Sequence, residues 1–493
     1  MTKPNALCRN LTIVTATFSL LLALVEQTRG QPSSKDTASS VSLPDVPKLS
    51  RWGVDSLHHV AQGVRGAASC ATSSCHGGPK AGVSSADAAR GSEYPLWLER
   101  DPHAQSWKTI SSDTSVKILS KLGILRDGKI ADAAGFQNCL ACHNTDRTTT
   151  PEQLSPRISE GVGCESCHGP SQPWYDRHYQ GAESAKYATA HLGLTDSGPL
   201  LQRAKICASC HVGGKDRDMN HDIIAAGHPA LYFDMAVYHE AYPKHWRDKD
   251  ESQPNFRSQL WLAGKIAMAD AELELLESRA CKSLPVSAWP ELSNYQCNSC
   301  HFTLGGILKP ISQLDRDLVT KGRAPVRNWN LSGIAAFSVS SDSVDSDLSG
   351  SFSRLRELLQ SPNPDSKLVA AKSHQLRLQL VDALNKNGKP TLPAWSIQKQ
   401  TALSIQLLND IQQSNSWEAA ADAYTSAWAI QPRSSAGKLE RAMNTLRDGL
   451  LFPKDLMMPN FPRQQNGRTP PTLDEWNEAL RQAVAALKND GLR

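Results

Sequence analysis

A cysteine pair followed at once by a histidine recurs along this chain, and it constrains the fold more than any other feature. Four copies have the spacing Cys-x-x-Cys-His, and they end at His143, His168, His211 and His301. In this spacing, two thiols can bond covalently to a porphyrin while the adjacent histidine ligates its iron. The repeats therefore predict covalently bound haem c and a core that depends on it.

A fifth, wider copy precedes the others. Cys70 and Cys75 are separated by four residues, and His76 follows directly. We interpret it as a haem site too, because it ends in the same Cys-His-Gly as the copy at residues 167 to 169. In chain order, the copies are called sites 1 to 5, and each is predicted to hold one haem. Their cysteines are Cys70 and Cys75, Cys139 and Cys142, Cys164 and Cys167, Cys207 and Cys210, and Cys297 and Cys300.

Zinc and disulfide bonds are the alternative uses of paired cysteines. Structural zinc sites combine two cysteine pairs and do not need a histidine after every second cysteine. Disulfides are compatible with an exported chain, and the wider spacing of Cys70 and Cys75 could equally mark one. Only Cys8 and Cys281 lie outside the five copies.

The composition also favours a cofactor-filled interior. Aromatic residues make up 6 % and charged residues 21 % of the chain, so its apolar stock is small for its length unless porphyrins fill the core. The formal charge is +4, and the sequence contains no basic run and no recognisable nucleic-acid module. We therefore predict no nucleic-acid partner.

The N-terminus has the pattern of an export signal. Lys3 and Arg9 precede an apolar run, and small residues near Gly30 fit a cleavage site. We predict a signal peptide over residues 1–30 and a disordered leader over 31–50, with an uncleaved anchor as the alternative. The mature protein would then be periplasmic or otherwise exported, without a membrane span.

The remaining chain is predicted to be mainly α. A pentahaem cytochrome c domain with a haem-packed core is expected over 51–310, a linker or loop over 311–350, and an α-helical region over 351–493. Between Pro254 and Pro285, apolar residues spaced three and four apart predict one long helix. Further helical patterns lie near 366–386, 395–413, 416–430 and 436–450, and Thr472 begins a last helix.

Three segments resemble the cytochrome c-554/c-prime family. They are the run from Gly161 to Pro170 around site 3, the Cys-His-Val at 210 to 212, and the run from Trp97 to Ala104. The resemblance covers about residues 65 to 240 and implies a multihaem electron carrier. Site 1 has a wider cysteine spacing than is usual in that family, and site 5 has no counterpart in its tetrahaem members.

The resemblance also implies distal ligands, which complete the sixth position of each iron. By position, it pairs His103 with the site 3 haem and His178 with the site 1 haem, with His191 as the rival of His178. It further implies that the site 2 haem, attached at His143, is open to a small ligand.

The residues after site 4 leave the other distal ligands unassigned. His228 is favoured as a ligand, because Gly227 and Pro229 would form a tight turn that presents it. His239 and His245 compete for site 5, and His221, His239 and His245 are all further candidates to close site 2. The nearby Met219, Met235 and Met268 are expected to pack in the core, and His374 is expected on a helix surface.

Two functions follow from these predictions. The first is an exported electron carrier that passes single electrons between redox partner proteins through five haems. The second is an oxidoreductase that acts on a small nitrogen compound, such as nitric oxide or hydroxylamine, at an open iron attached at His143. A third hypothesis treats the helical tail as a docking module.

Overall fold

The structure is a computed structural model of the 493-residue chain. It describes residues 41–42, 63–78, 91–146, 156–214, 217–281, 288–301, 322–335, 346–386, 389–390, 392–413, 417–432, 437–450 and 472–490. The predicted signal peptide and most of the leader therefore lie outside the described residues. Among the residues described, no helix is both long and apolar enough to cross a membrane.

The described chain is mainly α, which confirms the predicted fold class. The helices of the haem-motif region are α1 (Glu93–Arg100), α2 (Ser106–Ile110), α3 (Asp113–Lys121), α4 (Ala133–His143), α5 (Glu165–His168), α6 (Ala182–His191), α7 (Leu200–His211), α8 (His221–Ala226), α9 (Met235–Ala241), α10 (Phe256–Ala280) and α11 (Cys297–Cys300). Short 3-10 helices lie at Ala67–Cys70, Pro102–Gln105, Pro156–Glu160 and Leu292–Asn294.

The C-terminal region continues with six described helices, α12 (Ser346–Leu359), α13 (Ser366–Leu384), α14 (Ile397–Gln413), α15 (Trp417–Ile430), α16 (Lys438–Gly449) and α17 (Leu473–Asp490). Most of them agree with the periodic patterns in the sequence to within one or two residues at each end. The last helix begins with the expected capping box, because the Thr472 hydroxyl accepts from the Glu475 N–H and the Glu475 carboxylate accepts from the Thr472 N–H.

Strands are short and peripheral in the described chain. β1 (Val41–Ser42), β2 (Leu125–Arg126) and β3 (Lys129–Ile130) form an antiparallel sheet in the order β1-β3-β2, with Leu125 and Val41 both opposite Ile130. β4 (Asn385–Lys386) and β5 (Lys389–Pro390) form a hairpin. None of these strands carries a residue of the five sites.

Helix α10 lies at the centre of the molecule. It packs against α7, which carries site 4, and against α13 and α15 of the C-terminal region. The predicted apolar face is buried, but so are most other positions from Leu260 to Ala269. A helix that is buried all round must have partners on several sides. Helix α10 therefore joins the haem-motif region to the tail.

One hydrophobic core runs across both regions. It extends from Ala204 on α7 to Leu487 on α17. Residues 322–335 belong to this packed structure, since Trp329 is 1 % exposed and donates to the backbone oxygen of Phe233 at 2.8 Å. This contact holds residues 322–335, which fall within the predicted linker or loop over 311–350, against the core.

Candidate haem-binding sites

The exact Cys-x-x-Cys-His copies lie at helix ends or in short helices. Site 2 ends α4, site 4 ends α7, site 3 is contained in the short stretch around α5, and the cysteines of site 5 span α11. Residues three apart on a helix lie on the same face. Each local fold therefore directs its two thiols to one side, with the histidine one residue beyond.

Site 1 reaches a similar arrangement by a different local fold. Cys70 ends a 3-10 helix, and Cys75 follows in a turn closed by its N–H, which donates to the Thr72 oxygen at 2.8 Å. The Gly77 N–H donates to the same oxygen at 3.0 Å. The two extra residues are thus taken up by a turn, and His76 still follows the second cysteine.

Every motif histidine faces a second histidine from a distant part of the chain. The five pairs and the distances between their ring centroids are His76 and His178 at 6.3 Å, His143 and His228 at 6.3 Å, His168 and His245 at 6.4 Å, His211 and His103 at 6.1 Å, and His301 and His221 at 6.4 Å. Ten histidines are thereby placed in pairs with nearly the same separation.

That separation fits one metal ion between two imidazoles. Two metal–nitrogen bonds of about 2.0 Å each, plus about 1.1 Å from each nitrogen to its ring centre, give about 6.2 Å. The observed range of 6.1 to 6.4 Å brackets this value. Direct ring stacking or an imidazole hydrogen bond does not require one common distance in five unrelated places. The residues present therefore fit haem iron at each site.

The hydrogen bonds of four imidazoles also fit metal ligation. Nδ1 of His178 bonds to the Tyr175 oxygen and Nδ1 of His228 to the Pro229 oxygen, both at 2.8 Å. Nδ1 of His103 bonds to Asp101 at 2.9 Å, and Nδ1 of His76 bonds to Glu93 at 3.1 Å. These partners are carbonyl or carboxylate oxygens and only accept, so Nδ1 carries the hydrogen. In the neutral ring this leaves the Nε2 lone pair for a metal.

Burial favours the neutral form of three motif imidazoles. It lowers the pKa of His143 and of His168 to about 4, and that of His211 to about 3, in each case helped by a neighbouring histidine. A metal ligand must be deprotonated, so these rings need not lose a proton before binding iron at neutral pH. Nδ1 of His143 is buried without a hydrogen-bond partner.

The structure differs from the expected role of His239. Its Nε2 hydrogen bonds to Asp248 at 2.9 Å, and the same carboxylate group accepts from Arg203 at 2.7 Å. Trp246 donates to Asp248 at 3.1 Å. His239 is therefore held in a polar cluster beside the segment that carries His245, and its ring is not opposite a motif histidine.

Three other histidines were also named from the sequence. His103 lies opposite His211 of site 4, whereas the family resemblance pairs it with site 3, where His245 stands instead. His191, the rival of His178, is exposed and packs on Tyr187 with centroids 4.7 Å apart. His374 bonds to Glu277 at 3.2 Å on a helix surface.

His221 is the ligand candidate for site 5 that the sequence did not favour. It is the first residue of α8, whose N-cap Asn220 accepts from the Ile223 N–H at 3.0 Å. His228 follows the same helix after Gly227, which has a φ of 122° and ends the helix. In the sequence, Asn220 as an N-cap residue and Gly227 as a C-cap residue indicate a short helix with one histidine near each end.

The alternatives to histidine ligation find little support in the described residues. Met235 and Met268 are buried in the core, where we expected them. No group of three or more His, Cys, Asp or Glu suited to a metal ion occurs in the part of the chain that the structure describes.

Comparison with known proteins points to one family. The family model "Cytochrome c554 and c-prime" matches residues 69–169, which include sites 1, 2 and 3. Cytochrome c-554 from Nitrosomonas europaea is 28 % identical over 122 residues, which are 22 % of this chain and 52 % of that protein. The chain thus spans about half the length of this curated relative. No solved structure matches it.

The motifs, the helical fold and these similarities define a multihaem c-type cytochrome. Within that class, the chain is a cytochrome c-554-like protein, as the resemblance in the sequence predicted. The segment matched by the family model ends before site 4.

Proposed function

We propose that this protein is an exported electron carrier in which five haem c groups are each held by two histidines. The supporting observation is the set of five histidine pairs with a common separation of 6.1 to 6.4 Å. Haem c supplies reversible one-electron chemistry at its iron. If the two histidines of a pair held its iron, the haem could change oxidation state without exchanging a ligand.

The pair at site 2 distinguishes this proposal from the enzymatic alternative. An oxidoreductase that binds nitric oxide or hydroxylamine needs an open position opposite His143. The His228 ring stands there, at 6.3 Å, and its Nδ1 is anchored to the Pro229 oxygen. The turn that presents His228 is itself fixed, because the His228 N–H donates to the Ile223 oxygen at 3.2 Å.

The sites follow one another in the order 1, 3, 4, 2, 5. Cys70 of site 1 interacts with Cys164 of site 3, and Cys167 of site 3 lies near Cys207 of site 4. Sites 4 and 2 share Ser106, whose hydroxyl is 2.8 Å from the backbone oxygens of both His103 and His143. Neighbouring sites in this order are suited to the passage of one electron at a time.

Helix α8 connects the last two members of the row. It carries His221 of site 5 at its start and leads directly into His228 of site 2. The helix is held in place by Lys121 of α3, which donates to the Ala226 oxygen at 3.0 Å. Site 5 is thereby attached next to site 2, which becomes an interior member of the row.

The two ends of the row are the accessible members. Cys75 at site 1 and Cys300 at site 5 are exposed, whereas the cysteines of sites 2, 3 and 4 are all less accessible. Redox partner proteins would therefore exchange electrons at sites 1 and 5. This expectation rests on the exposure of Cys75 and Cys300.

Substitution of His228 tests the proposal. The reduced native protein should bind no carbon monoxide, while the His228→Ala variant should contain one high-spin haem and bind about one equivalent. His191→Ala is the matched control, since this exposed histidine faces no motif histidine, and its spectrum should remain that of the native protein. Uptake of about one equivalent by the native protein would instead support an open enzymatic site.

A further inference from the structure

The hydrogen-bond partners of the distal histidines differ between sites. At sites 1 and 2 the distal rings of His178 and His228 bond through Nδ1 to neutral backbone oxygens. At site 4 the distal ring of His103 bonds through Nδ1 to the carboxylate of Asp101. Of the distal rings whose Nδ1 bond is described, His103 alone is bonded to a charged group.

Asp101 holds both the backbone and the ring of His103. Its Oδ1 accepts from the His103 N–H at 3.0 Å and from Nδ1 at 2.9 Å, so one oxygen fixes the chain and the imidazole together. The Asp101 side chain is 3 % exposed. A hydrogen bond to a carboxylate that is shielded from water is stronger than one at the surface.

Tyr242 binds the other oxygen of the same carboxylate. Its hydroxyl donates to Oδ2, and its ring packs beside His103 with centroids 5.9 Å apart. The phenol is the donor of this bond, because a carboxylate only accepts. Tyr242 thus competes with His103 for the negative charge of Asp101.

We propose that Asp101 is a positioning residue that orients His103 and lowers the reduction potential of site 4, and that Tyr242 limits this effect. The physical reason is that a carboxylate draws the Nδ1 hydrogen toward itself and makes Nε2 a stronger donor to iron. Stronger donation stabilises the oxidised metal. The inference rests on the proposed function, because it requires haem at site 4 with His103 as its ligand.

Asp101→Asn tests the role of the carboxylate. The amide keeps the size and one acceptor oxygen but removes the charge, so one of the five midpoint potentials should rise while five covalent, low-spin haems remain. Potentials are measured by spectroelectrochemical titration, and haem content by intact mass. Asp382→Asn on the exposed face of α13 is the control for loss of one negative charge, and its potentials should be unchanged.

Tyr242→Phe separates tuning from simple support. Without the competing donor, more of the carboxylate charge acts on His103, so the same potential should fall. Tuning therefore shifts the two variants in opposite directions, whereas a purely structural role would loosen the ligand in both and shift them in the same direction. Unchanged potentials in Asp101→Asn, or a rise in Tyr242→Phe, would overturn the inference.

His103→Ala makes failure of the inference distinguishable from failure of the proposed function. Conversion of one haem to high spin in this variant, with covalent haem retained, establishes the ligand on which the inference rests. If all haems stay low-spin in His103→Ala, the ligand assignment at site 4 is wrong and the inference falls with it. If Asp101→Asn does not accumulate, the direction of the shift in Tyr242→Phe still decides.

Discussion

The haem-motif region and the helical tail are held together by different forces. In the motif region, helices such as α2 and α8 have five and six residues, and paired imidazoles face each other across the sites. In the tail, α13 and α14 have 19 and 17 residues, and their buried faces combine aliphatic side chains with polar ones such as Ser373 and Ser404. Short helices are marginal without tertiary contacts. The tail can supply such contacts from its own side chains, whereas the motif region needs its cofactors.

The strongest way to test this contrast is to prepare the full chain without haem. Without haem, the space between the paired histidines would be empty. We therefore expect the peptides of sites 1 to 4 to lose protection in hydrogen exchange measured by mass spectrometry. Peptides of α13 to α15 should stay protected because their apolar core remains. Uniform loss of protection along the whole chain would show that the tail depends on haem as well.

The ion pairs of Lys265 on α10 test how tightly the two regions are joined. Lys265, 1 % exposed, bonds to Asp422 on α15 and lies 3.7 Å from Asp234 at the start of α9. Lys265→Met leaves two buried carboxylates without their cation, and the free energy of unfolding should fall by about 3 to 5 kcal/mol.

Chemical denaturation of the holoprotein measures this change. Lys367→Met on the exposed side of α13 is the matched control, and it should alter stability by about 0.5 kcal/mol or less. A loss below about 1 kcal/mol in Lys265→Met would mean that the two regions are joined mainly by apolar packing.

The smallest expected effect is at the last helix of the tail. Thr472→Ala removes the hydroxyl that accepts from the Glu475 N–H, and it should cost about 1 kcal/mol without any change in the haem spectrum. Hydrogen bonds from Thr472 lower the pKa of Glu475 below 4.5. The stabilisation by Glu475 is therefore present above that value and is lost as the pH falls through the lowered pKa.

The free energy of unfolding, measured over a series of pH values, should fall slightly toward acid pH. This fall should be smaller in Glu475→Gln. The same substitution should leave haem content and potentials unchanged, because α17 packs against α14 and α16 and carries no site residue. A shift in any haem potential would contradict the separation of the two regions.

The sequence predicted the tail better than it predicted the sites. The helices Ser366–Leu384 and Trp417–Ile430 follow from apolar periodicity, which is a local property of each segment. The motif cysteines and histidines are also local, since each motif lies within five to seven consecutive residues. The mainly α fold class and the family resemblance are confirmed.

The distal partners depend on packing between segments that are far apart in sequence. His103 faces His211 at site 4. Three residues later, the Ser106 hydroxyl bonds to the backbone oxygen of His143 at site 2. Nothing in the local sequence indicates either contact. His239 carries no local sign that Asp248 and Arg203 will bind it. Sequence patterns could propose histidines as ligands, but they could not assign the pairs.

The length of helix α8 sets the spacing between site 5 and site 2. His221 at its start and His228 just after its end belong to different sites, so the six residues from His221 to Ala226 act as a spacer between two metal positions. One residue added within the helix would turn one imidazole by about 100° relative to the other and shift it by about 1.5 Å. Insertions in this helix should therefore interrupt the row of sites, even where the surrounding fold tolerates them.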